Sequence, residues 1–283
     1  MNQEIINLYD QYTHEPLSRI EFIKRLTIIT GSLTAAMSIL PLIEVNAANA
    51  AITPADELFT ETISYEGVNG TMSAYIARPK ENKKYAAIVV IHENRGLNSH
   101  IEDVARRAAQ AGYLAIAPNI LSPLGELPKT DDEIRAKFAT LKPDENVQNF
   151  KRAFDYLATR KDTNGKFGCV GFCWGGAMAN NLAVELPNLK AAVAFYGRQP
   201  DTASTAKIKS AVQLHYGGLD ERVNAGIPAY EAALKENKVN YEIYIYEGVN
   251  HAFHNDTAPT RYNESAAKLA WQRTMDFFGK NLN

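Results

Sequence analysis

Cysteine is scarce in this sequence: Cys169 and Cys173 are the only two, four positions apart. Two thiols in 283 residues make no disulfide framework, and no second Cys/His cluster completes a zinc site. Blocks of like charge are missing as well. The 30 Lys and Arg nearly balance the 32 Asp and Glu, leaving a net charge of -2 and a pI near 6.3. Neither nucleic acid nor anionic lipid is therefore an expected partner. There is no repeat and no low-complexity tract, and beyond residue 50 no apolar run is long and clean enough to span a bilayer. What is present is an ordinary globular composition, 46% hydrophobic and 22% charged. Such a chain suits one α/β domain of roughly 230 residues behind an N-terminal extension, or at most two small domains.

Residues 1–50 read differently from residues 51–283. Ser18-Arg19-Ile20-Glu21-Phe22-Ile23-Lys24-Arg25 is basic and precedes an apolar, small-residue stretch from Leu26 to Ile43. Asn46-Ala47-Ala48-Asn49-Ala50 then offers the small residues an export peptidase requires. The basic stretch resembles a twin-arginine signal, Ser-Arg-Arg-x-Phe-Leu-Lys, with Ile20 in place of the second arginine. An exported, periplasmic protein is expected on this reading. An amphipathic helical extension packed on the domain of a cytoplasmic protein is the alternative. The fold is therefore read from residue 51 onward.

There, strand and helix patterns alternate. Thr60 to Tyr65 and Thr71 to Ala77 read as antiparallel strands around a Gly67-Val68-Asn69-Gly70 turn. Tyr85 to His92, Tyr113 to Ala117, Phe167 to Phe172, Leu189 to Phe195, Ser210 to Tyr216 and Tyr241 to Tyr246 are apolar runs typical of buried strands. Between and after them, Ile101 to Ala111, Asp144 to Thr159, Gly176 to Glu185, Pro228 to Glu236 and Glu264 to Phe278 read as helices. The expectation is an α/β fold with a mostly parallel sheet, helices on both faces and ligands at the carboxyl ends of the strands.

Gly171-Phe172-Cys173-Trp174-Gly175-Gly176 lies between a strand pattern and a helix pattern. It is a G-x-S-x-G nucleophile elbow with cysteine in the serine position. The turn is tight, so larger residues at 171 and 175 would collide with neighbouring chain. The helix that follows aims its first amides at the site, which favours a thiolate and then an oxyanion. Asp220 and His251 each follow a strand pattern directly, and the order nucleophile, acid, histidine is that of the α/β-hydrolases. Taken singly, Cys173 also fits a small buried hydrophobe, Asp220 a helix cap, and His251 a satisfied loop histidine. His254 competes with His251 for the role of base.

With these motifs the domain resembles the dienelactone hydrolase family, α/β-hydrolases with a Cys-His-Asp triad. His92-Glu93-Asn94-Arg95-Gly96-Leu97, the elbow, and Asp220 with His251 carry the resemblance. It implies Cys173 as nucleophile, His251 as base and Asp220 as its orienting acid. It further implies that Glu93 contacts the resting thiol and helps ionise it, and that the Trp174 and Asn94 backbone N–H groups form the oxyanion hole. Members that cleave dienelactone carry an arginine four residues after the triad histidine, where this chain has Asn255. Arg95 and Arg198 are the remaining candidates to meet a substrate anion, or they are solvated loop residues. The resemblance implies a hydrolase that cleaves a small-molecule carboxylic ester or enol-lactone through a cysteine acyl-enzyme, as a carboxymethylenebutenolidase does, with no metal or organic cofactor. A cysteine amidotransferase is the runner-up, although Phe253 stands where that class has glutamate. A non-catalytic ligand-binding scaffold is the third reading.

Overall fold

An unbroken apolar run has no side to offer to water, so it must be covered on both faces. Tyr85–Ile91 is such a run, and all seven of its residues are buried in one strand. It lies within an eight-stranded sheet in a computed structural model that describes residues 1–44, 53–128 and 130–282. The small residues Asn46 to Ala50, expected as a peptidase site, lie outside the described residues.

Three helices come first: α1 (Gln3–His14), α2 (Arg19–Thr30) and α3 (Leu33–Ile43). The antiparallel pair β1 (Leu58–Glu66) and β2 (Thr71–Pro79) follows. The alternating part then runs β3 (Tyr85–Ile91), α4 (Ser99–Gln110), β4 (Leu114–Asn119), α5 (Asp131–Ala139), α6 (Pro143–Thr159), β5 (Thr163–Phe172) and α7 (Trp174–Glu185). It ends with β6 (Ala191–Phe195), β7 (Ala211–Gly217), α8 (Glu221–Asn224), α9 (Ile227–Glu236), β8 (Tyr241–Tyr246) and α10 (Glu264–Leu282). The sheet order is β1-β2-β4-β3-β5-β6-β7-β8, parallel from β4 through β8, with β2 antiparallel to both of its neighbours.

Each sheet face carries its own apolar layer. Phe150, Leu157, Leu182, Tyr230 and Leu234 from α6, α7 and α9 cover one face. Ile101, Val104, Ala270 and Phe278 from α4 and α10 cover the other. All parallel strands therefore point their carboxyl ends at one rim, where the βα loops gather. That rim is where three loop residues can meet.

The N-terminal helices have a small core of their own, with Leu8, Tyr12, Phe22, Leu26, Leu40 and Ile43 packed together. Ser18 caps α2 by accepting from the Glu21 N–H, and Gly31, at φ 79°, ends it. The chain then turns by 110° into α3. Among the described residues, no single helix is long and apolar enough to cross a membrane.

Candidate active site

Cys173 sits between the end of β5 and the first residue of α7, at φ 56° and ψ -114°. A non-glycine residue rarely takes such a conformation, and the surroundings must hold it there. They do. The Cys173 N–H donates to the Phe195 carbonyl at 3.0 Å, and its own carbonyl accepts from the Ala177 N–H at 3.1 Å. The flanking glycines are required by space: a Cβ on Gly171 would lie 1.9 Å from the Gly175 oxygen, and one on Gly175 would lie 2.3 Å from the Ile91 oxygen. The side chain is thereby presented at the rim, at the N-terminus of α7, whose first-turn amides have no intrahelical acceptor.

Asp220 follows β7 and serves two partners. Its Oδ1 accepts from the Val223 N–H at 3.2 Å, capping α8, and its Oδ2 accepts from His251 Nδ1 at 2.5 Å. One oxygen thus caps a helix and the other holds a histidine ring. His251, after β8, is buried, and its Nε2 has no hydrogen-bond partner. Burial opposes its charge, but the Asp10 and Asp220 carboxylates outweigh that and raise its pKa. His254 does not compete. It is fully enclosed between Phe172 and Phe195, and burial holds it neutral, well below the ordinary histidine range.

The thiol itself meets a residue that lies outside the sequence motifs. His14, the last residue of α1, brings its Nε2 to 2.9 Å from the Cys173 sulfur. One donor atom each from His14, Cys173 and His251 lies within 4.8 Å of the other two. Zinc bonds of about 2.3 Å to sulfur and 2.0 Å to nitrogen would hold the two donors about 3.5 Å apart. The 2.9 Å contact is therefore a hydrogen bond. The His14 and His251 rings meet edge to face at 4.8 Å.

Glu93 departs from its expected place at the thiol. Its Oε1 accepts from the Tyr196 hydroxyl at 3.3 Å and its Oε2 from Asn255 Nδ2 at 2.7 Å. Asn255, which stands where dienelactone-cleaving members have arginine, thus holds Glu93, and His14 occupies the thiol. Asn94 donates from Nδ2 to the Thr13 carbonyl at 2.8 Å. Arg95 is also taken up by the N-terminal helices: it reaches the Tyr9 hydroxyl at 2.8 Å and pairs with Asp131. Arg198 stays exposed. A cavity of about 490 Å³ opens here, lined by His14, Cys173, Trp174, Arg198 and His251 together with Arg135 and Phe138 from α5.

A sequence profile of the dienelactone hydrolase family matches residues 72–282. The chain belongs to the dienelactone hydrolase family. It is 33% identical over 253 residues to a protein of Saccharolobus solfataricus named "Putative carboxymethylenebutenolidase", covering 76% of this chain and 96% of that one. A protein of the same name from Methylorubrum extorquens is 30% identical and matches 90% of this chain and 92% of its own. Among solved structures, a "Putative Dienelactone Hydrolase" of Klebsiella pneumoniae superposes with a TM-score of 0.72 at 28% identity, over 79% of this chain and 99% of that one. As a member of this family the chain is a hydrolase with an α/β-hydrolase fold.

A buried histidine organises the early loop. His92 stacks on Trp174 with ring centroids 5.5 Å apart. Its Nε2 accepts from the Ile120 N–H at 3.2 Å, and its Nδ1 donates to the Glu93 carbonyl at 2.5 Å. Those two bonds require the neutral ring, and burial lowers its pKa to about 4. An uncharged His92 therefore fixes the backbone of the Glu93-Asn94 loop beside the elbow.

Proposed function

We propose that this hydrolase cleaves carboxylic esters or lactones through an acyl-enzyme on Cys173, with His251 and Asp220 completing the triad. One observation carries the reading: a cysteine held at φ 56° shares a 4.8 Å cluster with two imidazoles beside a 490 Å³ cavity. The sulfur adds to the acyl carbonyl, and the alcohol leaves. Water then attacks the thioester, giving its proton to His251 Nε2, while Asp220 holds Nδ1–H and steadies the imidazolium. The Trp174 and Asn94 amides receive the oxyanion; losing one such donor costs about 10²–10³ in rate. Thiolates leave readily, so activated esters and enol-lactones suit this site better than amides.

The substrate's acyl part faces Arg135, Arg198 and Arg222, which all line the cavity. Arg222 is neutralised by Asp10 at 3.1 Å, whereas Arg135 Nη1 is buried without a hydrogen-bond partner. An acyl group that carries an anion is thereby favoured over a plain acetyl.

Turnover of p-nitrophenyl esters and a panel of lactones tests the reading. Cys173→Ala should abolish hydrolysis, and Cys173→Ser should lose at least about 10² in kcat/KM. His251→Gln should stall at a thioester, seen as added mass on the acid-quenched protein. Wild-type turnover by Cys173→Ala would assign the chemistry to another residue.

A further inference from the structure

We propose that His14, carried into the site by the N-terminal helix, is a catalytic residue that takes the thiol proton of Cys173 and delivers it to the leaving group. The inference rests on the cysteine acyl-enzyme reading above. His251 is then left for the second half of the reaction, the activation of water.

Hydrogen bonding decides which ring nitrogen faces the sulfur as a base. His14 Nδ1 lies 2.8 Å from the Asp10 carbonyl, an acceptor that can only receive a proton, so Nδ1 carries the hydrogen. Nε2 is therefore the nitrogen that shares the cysteine's proton, 2.9 Å from the sulfur. The Asp10 carboxylate stands 3.2 Å from the same Nδ1 as a charged neighbour, whereas the Asp220 carboxylate accepts directly from His251 Nδ1 at 2.5 Å. Two acid–histidine pairs thus flank one sulfur, and the N-terminal pair is the one in hydrogen-bond contact.

The helix that carries the pair is anchored by the catalytic domain's own arginines. Arg95 holds the Tyr9 hydroxyl, Arg222 holds Asp10, Arg261 lies over the Tyr9 ring at 5.2 Å, and Arg135 lies over the Tyr12 ring at 3.7 Å. His14 borders the 490 Å³ cavity together with Cys173. The charged and titratable groups nearest to it are Asp10 on its own helix, Cys173 at the elbow, His251 on the loop after β8, and Arg222 of α8 acting through Asp10; Glu93, Arg95 and Arg261 line a small cavity that His14 also borders, and Arg135 and Arg198 line the larger one. Burial disfavours the imidazolium, but the sulfur and the carboxylate prevail and push its pKa up to about 9.

The proton balance closes. The S–H proton moves to His14 Nε2, and the sulfur bonds to the acyl carbon. The C–O bond to the leaving group breaks, and that oxygen takes the proton from His14. Water then adds to the thioester and gives a proton to His251; the C–S bond breaks and the acid departs. Transfer of that proton from His251 to His14 restores the thiolate–imidazolium pair. The net reaction is ester plus water to acid plus alcohol.

Full-length His14→Gln, Asp10→Asn, His251→Gln and Cys173→Ala, with folding checked by circular dichroism, test the assignment. His14→Gln should alkylate with iodoacetamide at least tenfold more slowly than wild type at pH 7 and give no acyl-enzyme. His251→Gln should keep both alkylation and the acyl-enzyme while losing turnover. The wild-type kcat/KM profile should fall above about pH 9, where the imidazolium is lost. Asp10→Asn should move that limb toward pH 7, and it gives the same readout if His14→Gln does not fold. Wild-type alkylation and acylation by His14→Gln, with both lost in His251→Gln, would return the proton to His251. An active mature protein whose intact mass shows that residue 14 has been cleaved away would also overturn the inference. Turnover surviving in Cys173→Ala would remove the parent reading as well, which no result on His14 alone can do.

Discussion

Cys173 is held at φ 56° by neighbours that leave its backbone no alternative. The tightest of them is the Gly171–Gly175 approach, where a methyl on Gly171 would meet backbone at 1.9 Å. Backbone cannot swing aside as a flexible side chain can. Gly171→Ala is therefore expected to cost at least about 4 kcal/mol, at the far end of single-substitution effects. For a domain of this size that lowers the melting temperature by roughly 10 °C. Differential scanning calorimetry checks it, and a variant melting within about 2 °C of wild type would contradict the close-approach argument. These glycines, with Cys173, Asp220 and His251, were readable in the sequence because a strained turn restricts which residues can occupy it and because strand ends restrict where loop partners fall. His14 was not. It is one of six histidines, sits in no motif, and precedes the basic stretch that resembles an export signal. Its role depends on where α1 docks, and docking leaves no local pattern.

At the scale of elements, the sheet was legible, but the N-terminal helices, α5 and the four-residue α8 were not. Strands such as β3 show as continuous apolar runs because both faces are covered, and the helices that flank them repeat apolar residues at helical intervals. α5 lacks that signal: only Ile134 and Phe138 give Asp131–Ala139 an apolar stripe. Its reciprocal Thr130–Glu133 capping box was the available cue. The N-terminal helices were hidden differently, since a basic stretch before a small apolar run describes an export signal and a helix pair equally well. Their packing makes a prediction of its own. Leu26 is fully buried in a cluster separate from both sheet-face layers. Leu26→Ala should cost about 2–5 kcal/mol, and the loss should stay local. Hydrogen exchange should quicken in α1–α3 amides and remain unchanged in β3 and β5. Uniform quickening through the sheet would mean that the two cores unfold together.

For the molecule as a whole, the buried histidines set how stability varies with pH. His92 is held at about 4 and His215 at about 3, in both cases because burial disfavours the charged ring. The unfolded chain titrates its histidines near 6.5, so between about 6.5 and 4 it binds protons that the folded state refuses. Stability is then lost as the pH falls. His14 acts in the opposite sense. Although burial works against its charge, Cys173 and Asp10 raise it to about 9, so its contribution is complete below about 6.5 and is lost as the pH rises through 9. The shifts of His92 and His14 each correspond to roughly 3 kcal/mol, and that of His215 to roughly 5 kcal/mol. The two losses also strike different places. His92 and His215 lie in the sheet layers, whereas His14 holds α1 to the rim. The melting temperature should therefore peak near pH 6.5. The acid limb should appear as global unfolding, and the alkaline limb as faster hydrogen exchange in α1 before the sheet responds. A melting temperature that is flat from pH 6.5 to 4, or that rises steadily to pH 9, would show that the buried histidines do not govern it.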